Sequence, residues 1–266
     1  MSGNGVLFLS VNAFEVKGRR NAGISLISLG FHAYCPVYPG ENTFIKKKNW
    51  YITRMQKLRT FPYIPLKVPR HKILKRLGYR RRENEISQRM MSEVDTWITY
   101  AADHIHLKAT ACIGDIQIDH GNNTVALKQS DTVFESARFT RFLGKADQLL
   151  IMGITGGQDV ADKIKQLQKD KRMTGAVIVD AAASEIVDEG FDWLMALFNK
   201  ELVRERKVLK LKRFSAGYGD FDIRFQADVY HILKMETLGV AITETCILMP
   251  EKSVTAFCGI SKVTGE

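Results

Sequence analysis

Cysteine, proline and histidine are scarce in this chain of 266 residues, which has four, six and six of them. The cysteines (Cys35, Cys112, Cys246, Cys258) form no Cys-x-x-Cys pair and no repeated spacing. They read as free, mostly buried thiols of a reducing, cytoplasmic compartment. No run of eighteen apolar residues exists, so no membrane span is indicated. The apolar start, residues 5–11, has no basic residue before it and no small-residue cleavage site after it, so a secretory leader is not expected. A Gly-x-Ser-x-Gly turn, a catalytic Cys/His pairing and a paired-carboxylate arrangement are also missing.

Charge is plentiful but unevenly spread. The net charge is +10, yet residues 1–82 hold 17 Lys/Arg against only Glu15 and Glu41, and the remainder is mildly acidic. The chain therefore reads as a basic leader joined to an acidic body. Residues 1–66 have apolar pieces broken by Pro36, Pro39, Pro62 and Pro65, with no lasting helical or strand period. Two accounts of this leader stand. It is an upstream extension with Met55 nearer the true start, or a basic arm for nucleic acid or an acidic partner. The lack of interleaved aromatics and of any nucleic-acid motif favours the first, and nucleic acid is not expected as a partner.

The body, residues 67–266, alternates helical and strand patterns. Apolar residues at three- and four-residue steps from Ile86 to Ala101 predict an amphipathic helix over 84–101. A β-rich stretch over 104–119 with a hairpin-like return at 122–127 follows. Further expectations are a short helix over 136–146, a buried strand over 148–154, and helices over 158–173 and 175–199. A strand over 208–214, a helix over 221–235 and two or three strands over 241–260 complete the pattern. The alternation is not strict enough for a doubly wound parallel sheet. An α+β domain with a mainly antiparallel sheet packed with helices is predicted instead.

The most informative stretch is Arg213-Phe-Ser-Ala-Gly-Tyr-Gly-Asp220, followed by Ile242-Thr-Glu-Thr-Cys-Ile-Leu-Met-Pro-Glu-Lys-Ser-Val254. Two glycines let backbone come close to a ligand, a tyrosine offers a flat amphipathic face, and an arginine offers a planar fork for a carboxylate. The bland alternative is a turn that needs glycines, with Arg213 capping a sheet edge. With Val68-Pro-Arg-His-Lys-Ile-Leu-Lys-Arg-Leu-Gly-Tyr79 upstream, these blocks resemble the reactivation domain of cobalamin-dependent methionine synthase in its stand-alone form. The resemblance covers about Val68 to Ile260 and does not reach the leader.

That resemblance implies a site for S-adenosylmethionine. Arg213 would meet the ligand carboxylate, Tyr218 would lie beside the ligand, and the backbone of Ser215, Ala216, Gly217, Tyr218 and Gly219 would reach the adenosine. Glu185, in Asp180-Ala-Ala-Ala-Ser-Glu-Ile-Val-Asp188, matches a family glutamate that faces the ligand's amino group, although a solvated helix glutamate reads almost as well. No Asp-x-His-x-x-Gly pattern is present, so cobalamin would come from a partner, a cobalamin-loaded methionine synthase or corrinoid protein. The chain would assist reductive methylation of cob(II)alamin there, with a flavodoxin- or ferredoxin-like protein as electron donor and the hard chemistry left to the cofactors. The alternatives are a non-catalytic S-adenosylmethionine-binding or corrinoid-partner module, and a nucleic-acid-binding protein led by its basic arm.

Four lesser features are read as structural. Glu244, between Thr243 and Thr245 on an expected strand, would be buried and support the ligand loop. Asp220 is expected to N-cap the helix that follows it. Thr155-Gly-Gly-Gln158 caps a helix rather than binding phosphate. His104 and His106 would share a strand face but have no third ligand nearby, so no metal is expected.

Overall fold

The computed structural model describes residues 58–79 and 87–263. The expected lack of regular structure in the leader lies, for residues 1–57, outside them. Six helices are described: α1 (Arg70–Arg76), α2 (Gln88–His104), α3 (Ala137–Leu143), α4 (Gln158–Lys169), α5 (Met173–Arg204) and α6 (Phe225–Ile232). The strands are β1 (Arg59–Phe61), β2 (Lys108–Asp119), β3 (Thr124–Leu127), β4 (Val133–Glu135), β5 (Gln148–Thr155), β6 (Lys207–Leu209), β7 (Ala241–Ile242), β8 (Leu248–Met249) and β9 (Ser253–Lys262).

Seven strands form one sheet in the order β4-β3-β2-β5-β9-β6, with β1 paired to the first half of β2. Every pairing is antiparallel. The α+β, antiparallel architecture expected from the pattern is the one observed.

The sheet lies between two apolar layers. On one face Leu150, Met152 and Ile154 of β5 and Ala256, Cys258 and Ile260 of β9 pack against α1, α2, α4 and α5. On the other, Leu149, Ile151 and Phe257 meet α3, α6 and the β3–β4 hairpin. Because both faces are covered, β5 is buried at all eight positions and reads as a continuous apolar run rather than an alternation. The helix α5 runs for 32 residues, where the sequence suggested it would end near Asn199. Gly190 lets it lie on β5, since a Cβ there would collide with the Ile154 side chain.

Residues 58–66 belong to this fold, which moves the boundary expected at 66. Phe61 packs edge-on to Trp193 and Phe198 of α5, Ile64 is fully buried, and Arg59 pairs with Glu201 at 2.6 Å. A proline-broken apolar stretch has no period of its own; it is ordered by the edge of β2 and by α5.

The charge division also has a tertiary explanation. Lys67 and Lys72 both reach Glu189, Arg70 reaches Asp95, and Arg76 reaches Glu185. With Arg59 on Glu201, five of the six Lys/Arg residues from 59 to 76 thus meet acids of the body. No described helix is long and apolar enough to cross a membrane.

Candidate functional site

The expected ligand loop follows β6. Between Leu209, opposite Ile260, and Phe214, opposite Phe257, five steps of one strand face three of the other. The strand expected over 208–214 is therefore short, and two extra residues bulge from the sheet edge. Bulges re-aim side chains. Here Leu211 is pushed into solvent and Arg213 turns toward α5.

The loop beyond the bulge is held at both ends by aromatic packing. Phe214 lies 5.4 Å from Phe139, and Phe221 stacks on Phe139 at 4.6 Å. Between them the Gly217 amide donates to Phe221 O at 2.7 Å and the Tyr218 amide to Ser215 O at 3.3 Å. Ser215 Oγ donates to Thr255 O of β9 at 2.8 Å. Ala216 faces the core, whereas Tyr218 is exposed and stands edge-on to Phe214. Gly217 and Gly219 have φ of +87° and +63°, a region that disfavours side chains. At Gly219 a Cβ would also strike the Arg138 side chain.

Asp220 does not cap the helix that follows. Its carboxylate accepts hydrogen bonds from Ser136 Oγ and from the amides of Ala137 and Arg138, at the start of α3. The hydrogen bond from Ser136, then those from the Arg138 and Ala137 amides, hold Asp220 below the usual carboxylate range. The next helix begins only at Phe225.

One face of α5 carries two acidic rows: Asp180, Asp188 and Asp192, eight and four residues apart, and beside them Glu185 and Glu189, four apart. Each acid has a basic partner from another element. Lys252 meets Asp180 at 2.7 Å, and Arg76 meets Glu185 at 2.5 Å. Lys72 meets Glu189 at 2.6 Å, and Arg213 reaches both Asp192 and Asp188. Arg213 Nη1 is 2.5 Å from Asp192 Oδ1, its Nη2 is 3.5 Å from Asp188 Oδ1, and the guanidinium lies over the Phe191 ring.

The sequence-expected residues are thus only partly brought together. Residues 215–219 and Arg213 form one loop, but Glu185 is tied to Arg76 with its side chain only 12% exposed. The acids beside Arg213 are Asp192 and, one turn past Glu185 along α5, Asp188, which sequence reading did not single out. Its signal was present: Asp188 shares a row with Asp180 and Asp192 and ends the very segment that contains Glu185. Burial pushes the Asp188 carboxyl above its usual range and Glu185 adds to this, while Arg213 opposes it.

The remaining expectations also find their places. Glu244 is exposed, because β7 ends at Ile242 and Thr243 starts a turn. There Thr243 Oγ1 accepts from the Ile247 amide and contacts Thr245 Oγ1. His104 ends α2 with Nδ1 on Tyr100 O, and His106 lies 4.0 Å from Asp159, so the two share no strand face. Among the described residues no cluster of three or more His, Cys, Asp or Glu could hold a metal. Gly157 precedes α4 without a side-chain cap, its amide donating to Thr155 Oγ1. Cys112 and Cys258 are buried thiols, pushed up to about 12 by burial, and Cys246 is half-buried with its thiol against the Arg224 carbonyl. A cavity of about 260 Å³ lies elsewhere, between Leu143, Ala146, Val208 and Gly259. Lys210 at its rim donates to the Phe142 carbonyl, capping the negative end of α3, so this cation has a structural task.

No protein-family profile and no curated protein matches the chain. Among solved structures it is similar to the crystal structure of the MetH reactivation domain bound to AdoHcy. The TM-score is 0.53 at 12% identity, over 84% of this chain and 88% of that one. At that identity the likeness shows a shared fold: an α+β domain of the reactivation-domain type.

Proposed function

We propose that this chain binds S-adenosylmethionine at the Arg213–Gly219 loop and supports reactivation of cobalamin on a partner methionine synthase. The observation that carries the reading is the pairing of Arg213 with Asp188 at the foot of the glycine loop, on this fold. An α-amino acid headgroup presents a carboxylate and an ammonium a few ångströms apart. A guanidinium beside a partly buried carboxylate is complementary to both. Asp188 takes the role that the resemblance gave to Glu185. The exposed Tyr218 ring offers a face to the adenosine, and the hydrogen bonds of Gly217, Tyr218 and Ser215 hold the loop beneath it.

The residues present fit the ligand's headgroup. The ligand would supply an activated methyl group, and the partner would supply cobalamin and receive an electron from a small redox protein. The chain's own share is to orient the headgroup through Arg213 and Asp188 and to hold the loop through Asp220 and Ser215.

A second reading is favoured by the two acids already on Arg213. In it the arginine is a staple between the loop and α5, and the domain is a docking module without a ligand. The paired state of Arg59, Lys67, Arg70, Lys72 and Arg76 counts against a nucleic-acid role for that stretch. Calorimetric titration with S-adenosylmethionine separates the first two readings. Saturable heat that is lost with decarboxylated ligand supports the site; no heat up to millimolar ligand supports the staple.

A further inference from the structure

We infer that Asp192 determines the affinity and selectivity of this site by occupying Arg213 and yielding to a ligand carboxylate, with Lys72 receiving it. The inference rests on Arg213 being the carboxylate-binding residue. Asp192 bridges two cations from different elements: Oδ1 lies 2.5 Å from Arg213 Nη1 and Oδ2 lies 3.2 Å from Lys72 Nζ of α1. Asp188 meets the other terminal nitrogen of Arg213 from the preceding turn of α5. The two acids are not equivalent. The Asp192 side chain is 47% exposed and has a second cation at hand; that of Asp188 is 28% exposed, with no salt-bridge partner other than Arg213 among the described residues.

A carboxylate arriving at Arg213 therefore displaces Asp192 and not Asp188. Leaving Arg213 strands no charge, because Lys72 already touches the other oxygen. An exposed, single-point pair is weak, whereas a ligand carboxylate can take the guanidinium fork in two parallel hydrogen bonds. The exchange is thus favourable for a ligand that has the carboxylate. A ligand without one cannot drive it and finds Arg213 closed. Selectivity for the intact amino-acid headgroup follows from this competition as well as from direct contact.

The test is a double-mutant cycle on the full chain, using calorimetry with S-adenosylmethionine and circular dichroism to check folding. Asp192→Asn removes the competitor and is expected to tighten binding about two- to fivefold. Lys72→Gln removes the residue that receives Asp192 and is expected to weaken binding. In the Asp192→Asn background the same Lys72→Gln change should leave ligand affinity unaltered, because Lys72 reaches the ligand only through Asp192; its pairing with Glu189 at 2.6 Å is read separately, as a loss of Tm. Additive effects would mean that the two charges act independently from a distance, and would overturn the exchange. Binding by the unsubstituted chain that Asp192→Asn leaves unchanged or weakens would overturn the role of Asp192 alone. Absence of heat from every variant would overturn the Arg213 site and this inference with it. Binding seen only after Asp192→Asn would support it most directly.

Discussion

Asp220 Oδ1 accepts a hydrogen bond from Ser136 Oγ at 2.7 Å, across 84 residues of chain, and so ties the glycine loop to the first turn of α3. Ser136 in turn receives the Phe139 amide, as an N-cap does. One carboxylate thus secures a helix start and the end of the proposed ligand loop together.

Asp220→Ala should therefore lower Tm and also weaken S-adenosylmethionine binding. The folded carboxyl is held below its ordinary value, so its stabilising effect is present at neutral pH. It should fade as pH falls through the lowered value. The gap between the thermal melts of the two proteins should narrow as pH falls from 7 to 3; a constant gap would count against the cap.

Arg213→Ala should remove S-adenosylmethionine binding while leaving a cooperative fold. Truncating one partner of a desolvated charge pair costs about 2–5 kcal/mol of affinity. Arg213→Lys should rescue binding poorly, because a single ammonium cannot form the planar two-point contact. Calorimetric heats equal to those of the unsubstituted protein would refute the assignment.

Glu189 is buried, which raises its carboxyl, yet hydrogen bonds from Lys72 and Lys67 outweigh this and hold it below the usual range. A depressed carboxyl stabilises the fold above its unfolded value and loses that effect as pH falls through the folded one. Glu189→Gln should cost roughly 1.5–3 kcal/mol at pH 7, and progressively less in acid. Urea melts at three pH values measure this.

Gly175 faces the indole of Trp97, and a Cβ there would lie 2.6 Å from Cζ2. Gly175 is the third residue of α5, where alanine gains at most about 1 kcal/mol over glycine. Overpacking against a rigid ring costs about 1–3 kcal/mol. The clash should win, so Gly175→Ala should lower Tm, and Trp97→Phe should relieve part of the loss.

A chain starting at Met55 should melt like the full chain, because Arg59, Phe61 and Ile64 are retained. One starting at Lys67 should lose several kcal/mol, since the buried Ile64 and the β1 pairing with β2 go with it. Equal melting of the two shortened chains would show that β1 is dispensable.

Much of this protein was already determined by its sequence. Apolar residues at helical spacing marked α2, and continuous apolar runs marked β5 and the long α5, because a segment facing a core on one side takes a period whereas one covered on both sides is apolar nearly throughout. Glycines in Ser215–Gly219 marked the loop, because positive φ excludes most other residues. Only the tertiary structure decided the partners of the charges. That Asp220 caps α3, that the bulge turns Arg213 onto α5, and that Asp192 and Asp188 rather than Glu185 meet it are facts of chain segments far apart in sequence. Local spacing says nothing about which distant surface a side chain will face. For the same reason residues 59–66 read as leader: strand β1 and Ile64 are held by the edge of β2 and by acids and apolar groups of α5, far away in sequence.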